Sequence, residues 1–158
     1  MRLEYFEMID RVVGLDRDAG TIHAQANVPQ ESPVFEGHFP GYPIMPGVLL
    51  LETMAQAAGY LALARNGLAQ MPFFAGSSKA KFRKFVVPAT VMDVHAKLVH
   101  DGSGYAVFET RIEQGGRVAD AEVMLRIMDF PAPDLREAML KRAALIGLAA
   151  GTGAGVAP

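Results

Sequence analysis

Two residues stand out by type and by place. His38 lies in Phe35-Glu36-Gly37-His38-Phe39-Pro40-Gly41-Tyr42-Pro43-Ile44-Met45-Pro46-Gly47, a stretch stiffened by prolines and bent at glycines. Glu52 lies in the apolar run that follows. An imidazole changes charge near neutral pH. A carboxylate among apolar neighbours costs several kcal/mol unless it is paired or neutralised. Gln56, one helical turn beyond Glu52 on the same face, is placed to hold it by a hydrogen bond. Between His38 and Glu52 the residues around Gly47 and Val48 would open a helix, where the first N–H groups have no intrahelical acceptor. A base on a rigid loop, an acid about 9 Å into a helix at ~1.5 Å per residue, and free backbone donors between them form a candidate site for moving protons.

The elements that must position these groups can be read from the pattern. Pro46 suits a first helical position, Val48 to Ala64 is almost wholly apolar, and Arg65-Asn66-Gly67 closes the run with a basic last turn and a Gly stop. A helix apolar all round belongs in a core or a membrane, and Glu52 and Gln56 in mid-run favour the core. Met8 to Val13 reads as a first strand and Thr21 to Val28 alternates as a second, with His23 on its polar face. Pro29 to Val34 reads as a polar loop. Phe73 to Phe85 and the alternating segments Met92–Leu98, Ala106–Ile112 and Ala119–Ile127 supply four more strands joined by tight turns, with His95 facing water. Half-exposed strands with hairpin turns predict an antiparallel sheet wrapped round one long apolar central helix, an α+β arrangement. Phe39, Phe73, Phe74, Phe82 and Phe85 are expected mostly in the core, with some lining an apolar slot.

One domain over residues 1–130 accounts for this plan, and 131–158 forms an extension. There Asp134 would cap a short helix from Leu135 to about Leu148, and a Gly/Ala-rich tail follows. At 158 residues with a net charge of −2 the chain has no general pull toward nucleic acid, and it has no cysteine for disulfides or thiolate metal sites. Acids among the first seven residues do not suit a signal peptide, so a cytoplasmic protein without a membrane span is expected. Lys79, Lys81 and Arg83 fall on one strand face and, with Arg65, could steer an acidic partner.

Gly37-His38-Phe39-Pro40, then Pro43-Ile44-Met45-Pro46-Gly47-Val48-Leu49, then Glu52-Thr53-Met54-Ala55-Gln56 strongly resembles the signature of beta-hydroxyacyl-[acyl-carrier-protein] dehydratases, the FabZ type of the hotdog-fold superfamily. Looser similarity extends from about Tyr5 to about Met128. The resemblance implies a hotdog fold and loss of water from a (3R)-3-hydroxyacyl chain on acyl carrier protein, giving a trans-2-enoyl thioester. It implies His38 as the base at C2 and Glu52 as the proton donor to the leaving hydroxyl. It also implies N–H groups around Gly47 and Val48 as the holders of the thioester oxygen, with no metal or organic cofactor. Gln56 would orient Glu52, and the cations at Lys79, Lys81 and Arg83 would dock the carrier. The family further implies a homodimer in which each site takes its His and its Glu from different chains, often assembled as a trimer of dimers.

The chain also departs from the family. Leu3-Glu4-Tyr5-Phe6 replaces a His-Arg-Tyr-Pro-Phe-like opening, and Gly76-Ser77-Ser78-Lys79 stands where Gly-apolar-Asp-Lys is common. The extension is a third difference, expected either to pack on a neighbouring subunit or to play no catalytic part. Together these suggest a specialised branch handling long acyl chains, as for lipid A. Rival readings on the same fold are a FabA-type dehydratase that also isomerises the double bond and typically carries aspartate in place of Glu52, a hotdog acyl thioesterase, and a non-enzymatic acyl-carrier-protein-binding scaffold.

Overall fold

The computed structural model describes residues 1–148. Six strands form one antiparallel sheet in the order β1-β2-β4-β5-β6-β3. They are β1 (Arg11–Asp16), β2 (Thr21–Asn27), β3 (Gln70–Phe82), β4 (Val91–Gly102), β5 (Tyr105–Glu113) and β6 (Arg117–Asp129). Three helices accompany them: α1 (Pro33–Gly37), α2 (Gly47–Arg65) and α3 (Pro133–Leu145). The sheet curls round α2, which packs against β2, β3, β4, β5 and β6.

The alternation seen in the sequence decides which face turns inward. Ile22, Ala24 and Ala26 of β2, Met92, Val94 and Ala96 of β4, Ala106, Phe108 and Ile112 of β5, and Ala119, Val123 and Leu125 of β6 are all buried. Small residues on these faces let the sheet approach a helix that is itself rich in alanine. Among them Thr110 is the buried polar exception, and it is satisfied by donating to the Ala121 carbonyl at 2.8 Å. On α2, Leu50, Met54, Ala57, Ala58 and Leu61 are all but inaccessible. The helix is long and apolar enough to cross a membrane, yet it serves here as the core of the sheet.

Several local expectations are corrected. The first strand begins at Arg11 rather than Met8, because the Met8 N–H donates to Gln56 Oε1 at 3.0 Å instead of joining the ladder. The segment Pro33–Gly37, expected as loop, is a short helix with Pro33 in its first turn and a Ser32 cap that accepts from the Val34 N–H at 3.2 Å. Pro46 is the N-cap of α2 and Gly47 its first residue. His95 does not face open water: its ring stacks on His23 at a centroid distance of 4.4 Å, across the β2–β4 pair. α3 starts at Pro133 with Ala132 as N-cap, so Asp134 lies in the first turn and does not cap. The Gly/Ala-rich tail expected beyond it lies outside the described residues.

β3 is hydrogen-bonded on one side only, to β6, and forms one end of the sheet. Two irregularities bend it, between Phe74 and Gly76 and between Ser78 and Lys81, where Lys79 adopts φ 53°. Pro72 is tolerated because an end strand need not donate outward. Phe74 and Phe82 are about half exposed here, and Phe85 and Phe39 are exposed as well, contrary to their expected core placement. Apolar rings on an open strand edge are a surface ready for pairing.

Candidate active site

His38 is the C-cap of α1, so a helix end and the following Pro43–Pro46 segment fix its backbone. Its N–H donates to the Val34 carbonyl at 3.1 Å, and its own carbonyl accepts from the Ile44 N–H at 3.0 Å. Its ring Nδ1 lies 2.9 Å from the Ile44 carbonyl oxygen. A carbonyl oxygen can only accept, so Nδ1 carries the proton and Nε2 of the neutral ring keeps its lone pair. The Phe39 ring stacks against the imidazole at 4.2 Å. A half-buried imidazole with one nitrogen committed to the backbone and the other open is set up to accept a proton.

Glu52 sits in the second turn of α2. It is half-buried at the edge of a cavity of about 400 Å³, rather than enclosed in the core as its apolar neighbours in the sequence suggested. Gln56 donates from Nε2 to Glu52 Oε1 at 2.9 Å and to the Phe6 carbonyl at 2.6 Å, while its Oε1 accepts from the Met8 N–H. Gln56 is thus brought onto Glu52, and its amide ties the carboxylate to the N-terminal segment. Phe6 and Met8 carried no sequence signal for this contact, because they contribute only backbone atoms.

At the start of α2, the N–H groups of Leu49 and Leu50 both reach the Pro46 carbonyl, at 3.0 and 3.1 Å. No side chain caps this end, and among the described residues the N–H groups of Gly47 and Val48 have no acceptor. Two adjacent donors at the positive end of a 19-residue helix can hold a developing oxyanion. The Phe82 ring lies over Gly47, within 3.6 Å of where a Cβ would stand.

The cavity beside Glu52 runs along one face of α2 through Ala55, Gly59 and Leu63, with Met71 and Phe74 of β3 opposite. Further wall comes from Phe6 and Glu7, from Leu125 of β6, and from α3 through Ala138, Met139 and Arg142. Tyr60 also lines it; burial pushes its phenol up, opposed by the charge and hydrogen bond of Arg142. Arg142 donates to the Ile9 carbonyl at 2.6 Å and lies 3.9 Å from Glu7. The extension thus packs on its own chain, beside the acid. His38 does not line this cavity, so a single chain does not bring His38 and Glu52 together there.

The expected docking cations group around two acids of β6. Lys79 pairs with Glu122 at 3.1 Å and Arg83 with Asp120, and Lys81 stands opposite Asp120 in the register. Two of these three cations are therefore paired within the sheet. Arg65 is remote from it at the end of α2, bonded to the Arg17 carbonyl.

A curled antiparallel sheet round one central helix is the hotdog fold, and the comparisons agree with it. The dehydratase heterocomplex ApeI:P from Xenorhabdus doucetiae is similar over 85% of this chain and 90% of that chain, with a TM-score of 0.64 and 17% identity. In sequence, residues 2–122 match the FabA-like domain family. Two relatives carry the name 3-hydroxyacyl-[acyl-carrier-protein] dehydratase FabZ. The one from Bartonella quintana (strain Toulouse) is 40% identical over 127 residues, covering 78% of this chain and 81% of the relative. The one from Streptococcus sanguinis (strain SK36) is 42% identical over 113 residues, covering 71% and 79%. The chain belongs to the FabA-like family, as a hotdog dehydratase of the FabZ type.

Proposed function

We propose that the chain removes water from (3R)-3-hydroxyacyl-[acyl-carrier-protein] in fatty acid synthesis, with His38 and Glu52 as its proton-transfer pair. His38 Nε2 takes the proton from C2, beside the thioester carbonyl. The C2 electron pair forms the C2=C3 double bond as the C3–O bond breaks, and the hydroxyl leaves as water with a proton from Glu52. The N–H groups of Gly47 and Val48 hold the negative charge that builds on the thioester oxygen. Exchange of a proton from His38 to Glu52 through solvent resets the pair.

The observation that carries this reading is the His38 Nδ1 contact with the Ile44 carbonyl, which leaves a lone pair on Nε2 of an imidazole fixed beside the helix start. The separation of His38 from the Glu52 cavity fits a site completed by a second copy of the chain. The end strand β3, with Phe74 and Phe82 exposed, is the edge on which that copy would pair. A homodimer, and a trimer of such dimers, is the assembly we propose. Lys81, Lys79 and Arg83 would meet the acidic carrier protein, and the relatives' shared chemistry supports a cytoplasmic setting.

The test is direct. The protein is incubated with a 3-hydroxyacyl-carrier protein and the products are read by mass and double-bond position. A trans-2-enoyl product that disappears in both His38→Ala and Glu52→Ala supports the proposal. Free acid would mean a thioesterase and a cis-3 product an isomerase. Full activity in either variant removes the assigned pair.

A further inference from the structure

The cavity beside Glu52 is lined mostly by apolar side chains, with Glu52, Gln56, Glu7, Tyr60 and Arg142 as its polar groups. From Glu52 to Leu63 the lining positions of α2 cover about 16 Å at ~1.5 Å per residue, a slot rather than a bowl. Its width depends on Gly59, where a Cβ would stand 3.6 Å from the Pro72 ring: a side chain there is accommodated but fills the slot. A glycine in the middle of a helix is costly to stability, so its presence on this face is an independent sign that the space is used. The outer wall is α3, held in place by Ala143, Ile146 and Leu148, all about 1% exposed, and by the Val12 N–H donating to the Ile146 carbonyl at 2.7 Å. Met139 presents a half-buried thioether to the slot, and Arg142, tied to Ile9 and Tyr60, stands beside it.

We propose that α3 is the chain-length gauge of this enzyme: the acyl tail of the thioester lies along the α2 face from Glu52, and Met139 with the Tyr60–Arg142 pair sets where it must stop. This rests on the reading of Glu52 as the acid of an acyl-thioester site. Three features of the slot select an acyl tail as its occupant. The acid stands at one end, where the hydroxylated carbon would react. Beyond it the wall is mainly Ala, Gly, Leu, Met, Pro and Phe. A volume of about 400 Å³ is within the usual size of small-molecule sites, about 300–1,000 Å³. Met139 is a positioning residue for the tail and takes no part in the chemistry.

The experiment compares wild type, Met139→Trp, Met139→Ala and, as a control on the exposed side of α3, Lys141→Ala. Two quantities are measured over acyl chains of four to sixteen carbons: kcat/KM for dehydration of 3-hydroxyacyl-carrier protein, and affinity for unreactive acyl-pantetheine amides. Met139→Trp is expected to lower the long-to-short ratio about tenfold or more in both, the discrimination that a methylene or two provides in an apolar slot. Met139→Ala shifts the upper limit toward longer chains, and Lys141→Ala leaves the profile in place. Because the readout is a ratio within one preparation, a smaller folded fraction does not imitate it. An unchanged ratio in both Met139 variants overturns the gauge. Length-dependent binding that shifts as expected, with no dehydration by wild type, would uphold the gauge and overturn the dehydratase assignment. Turnover with an unmoved length profile would do the reverse.

Discussion

Gln56 Nε2 donates to Glu52 Oε1 at 2.9 Å, and the same amide holds the Phe6 carbonyl and the Met8 N–H, so one side chain joins the acid of α2 to the N-terminal segment. If Glu52 is the proton donor, it presents one oxygen to the substrate and needs the other fixed, and a neutral amide does this without adding charge.

Replacing Gln56 by Leu leaves those three groups without their partner. The loss of stability is expected at about 1–3 kcal/mol, measured by denaturant unfolding. kcat is expected to fall on the order of 100-fold with a small change in KM, since a misplaced acid harms the transition state more than binding. A fall in stability with kcat intact would restrict Gln56 to a structural role.

If each site draws His38 and Glu52 from different chains, two inactive variants repair each other. His38→Ala and Glu52→Ala, each inactive alone, are mixed under conditions that exchange subunits. Random exchange makes half the dimers mixed, each with one intact site, so about a quarter of wild-type activity returns. No recovery despite demonstrated exchange would place both residues of a site on one chain.

The outer face of β2, β4 and β5 carries a cluster whose titration has a defined sign. Hydrogen bonds from Gln25 and His23 hold the Asp93 carboxyl below its usual range. Burial, helped by the charges of Arg111 and His23, holds the His95 imidazole below its usual value, against the pull of Glu113 and Asp93. Both groups bind protons less readily in the folded than in the unfolded chain. The stability they contribute is thus complete above the unfolded pKa and is lost as pH falls, from about 6.5 downward for His95 and from about 4 downward for Asp93. Tm should therefore drop between about pH 7 and about pH 5, and His95→Gln should flatten that segment. A Tm that rises on acidification over this range would contradict the assignment.

Gly59→Ala separates stability from function. Alanine in mid-helix is expected to stabilise the fold by about 0.5–1 kcal/mol, because the 3.6 Å distance to Pro72 leaves room for its methyl. The same methyl narrows the slot, so turnover of the longest acyl chains should fall. Calorimetric melting and chain-resolved kinetics check the two halves separately.

Carrier docking should rest more on Lys81 than on its paired neighbours. Lys81→Glu is expected to raise KM for the carrier-bound substrate with kcat little changed, and to weaken the dependence of kcat/KM on salt. Lys79→Ala, which removes a partner of Glu122, should have the smaller effect. Equal effects would mean that the internal ion pairs open on docking.

The residue order alone determined the wrapped helix, the number of strands and the inward faces of β2, β4, β5 and β6, because period-two and all-round apolar patterns answer to burial, which acts on each segment separately. It also singled out His38, Glu52, Gln56 and the open donors at Gly47 and Val48, since their types are out of keeping with their surroundings. Tertiary structure decided the rest. Contacts between segments distant in sequence leave no local pattern, so the backbone atoms of Phe6 and Met8 that clamp Gln56 were invisible, as was the stacking of His95 on His23. The same is true of α3: its short helix could be read from the sequence, but its seat against the Glu52 cavity depends on burying Ile146 and Leu148 and on the Ile146 carbonyl meeting the Val12 N–H of β1, which only the assembled core provides.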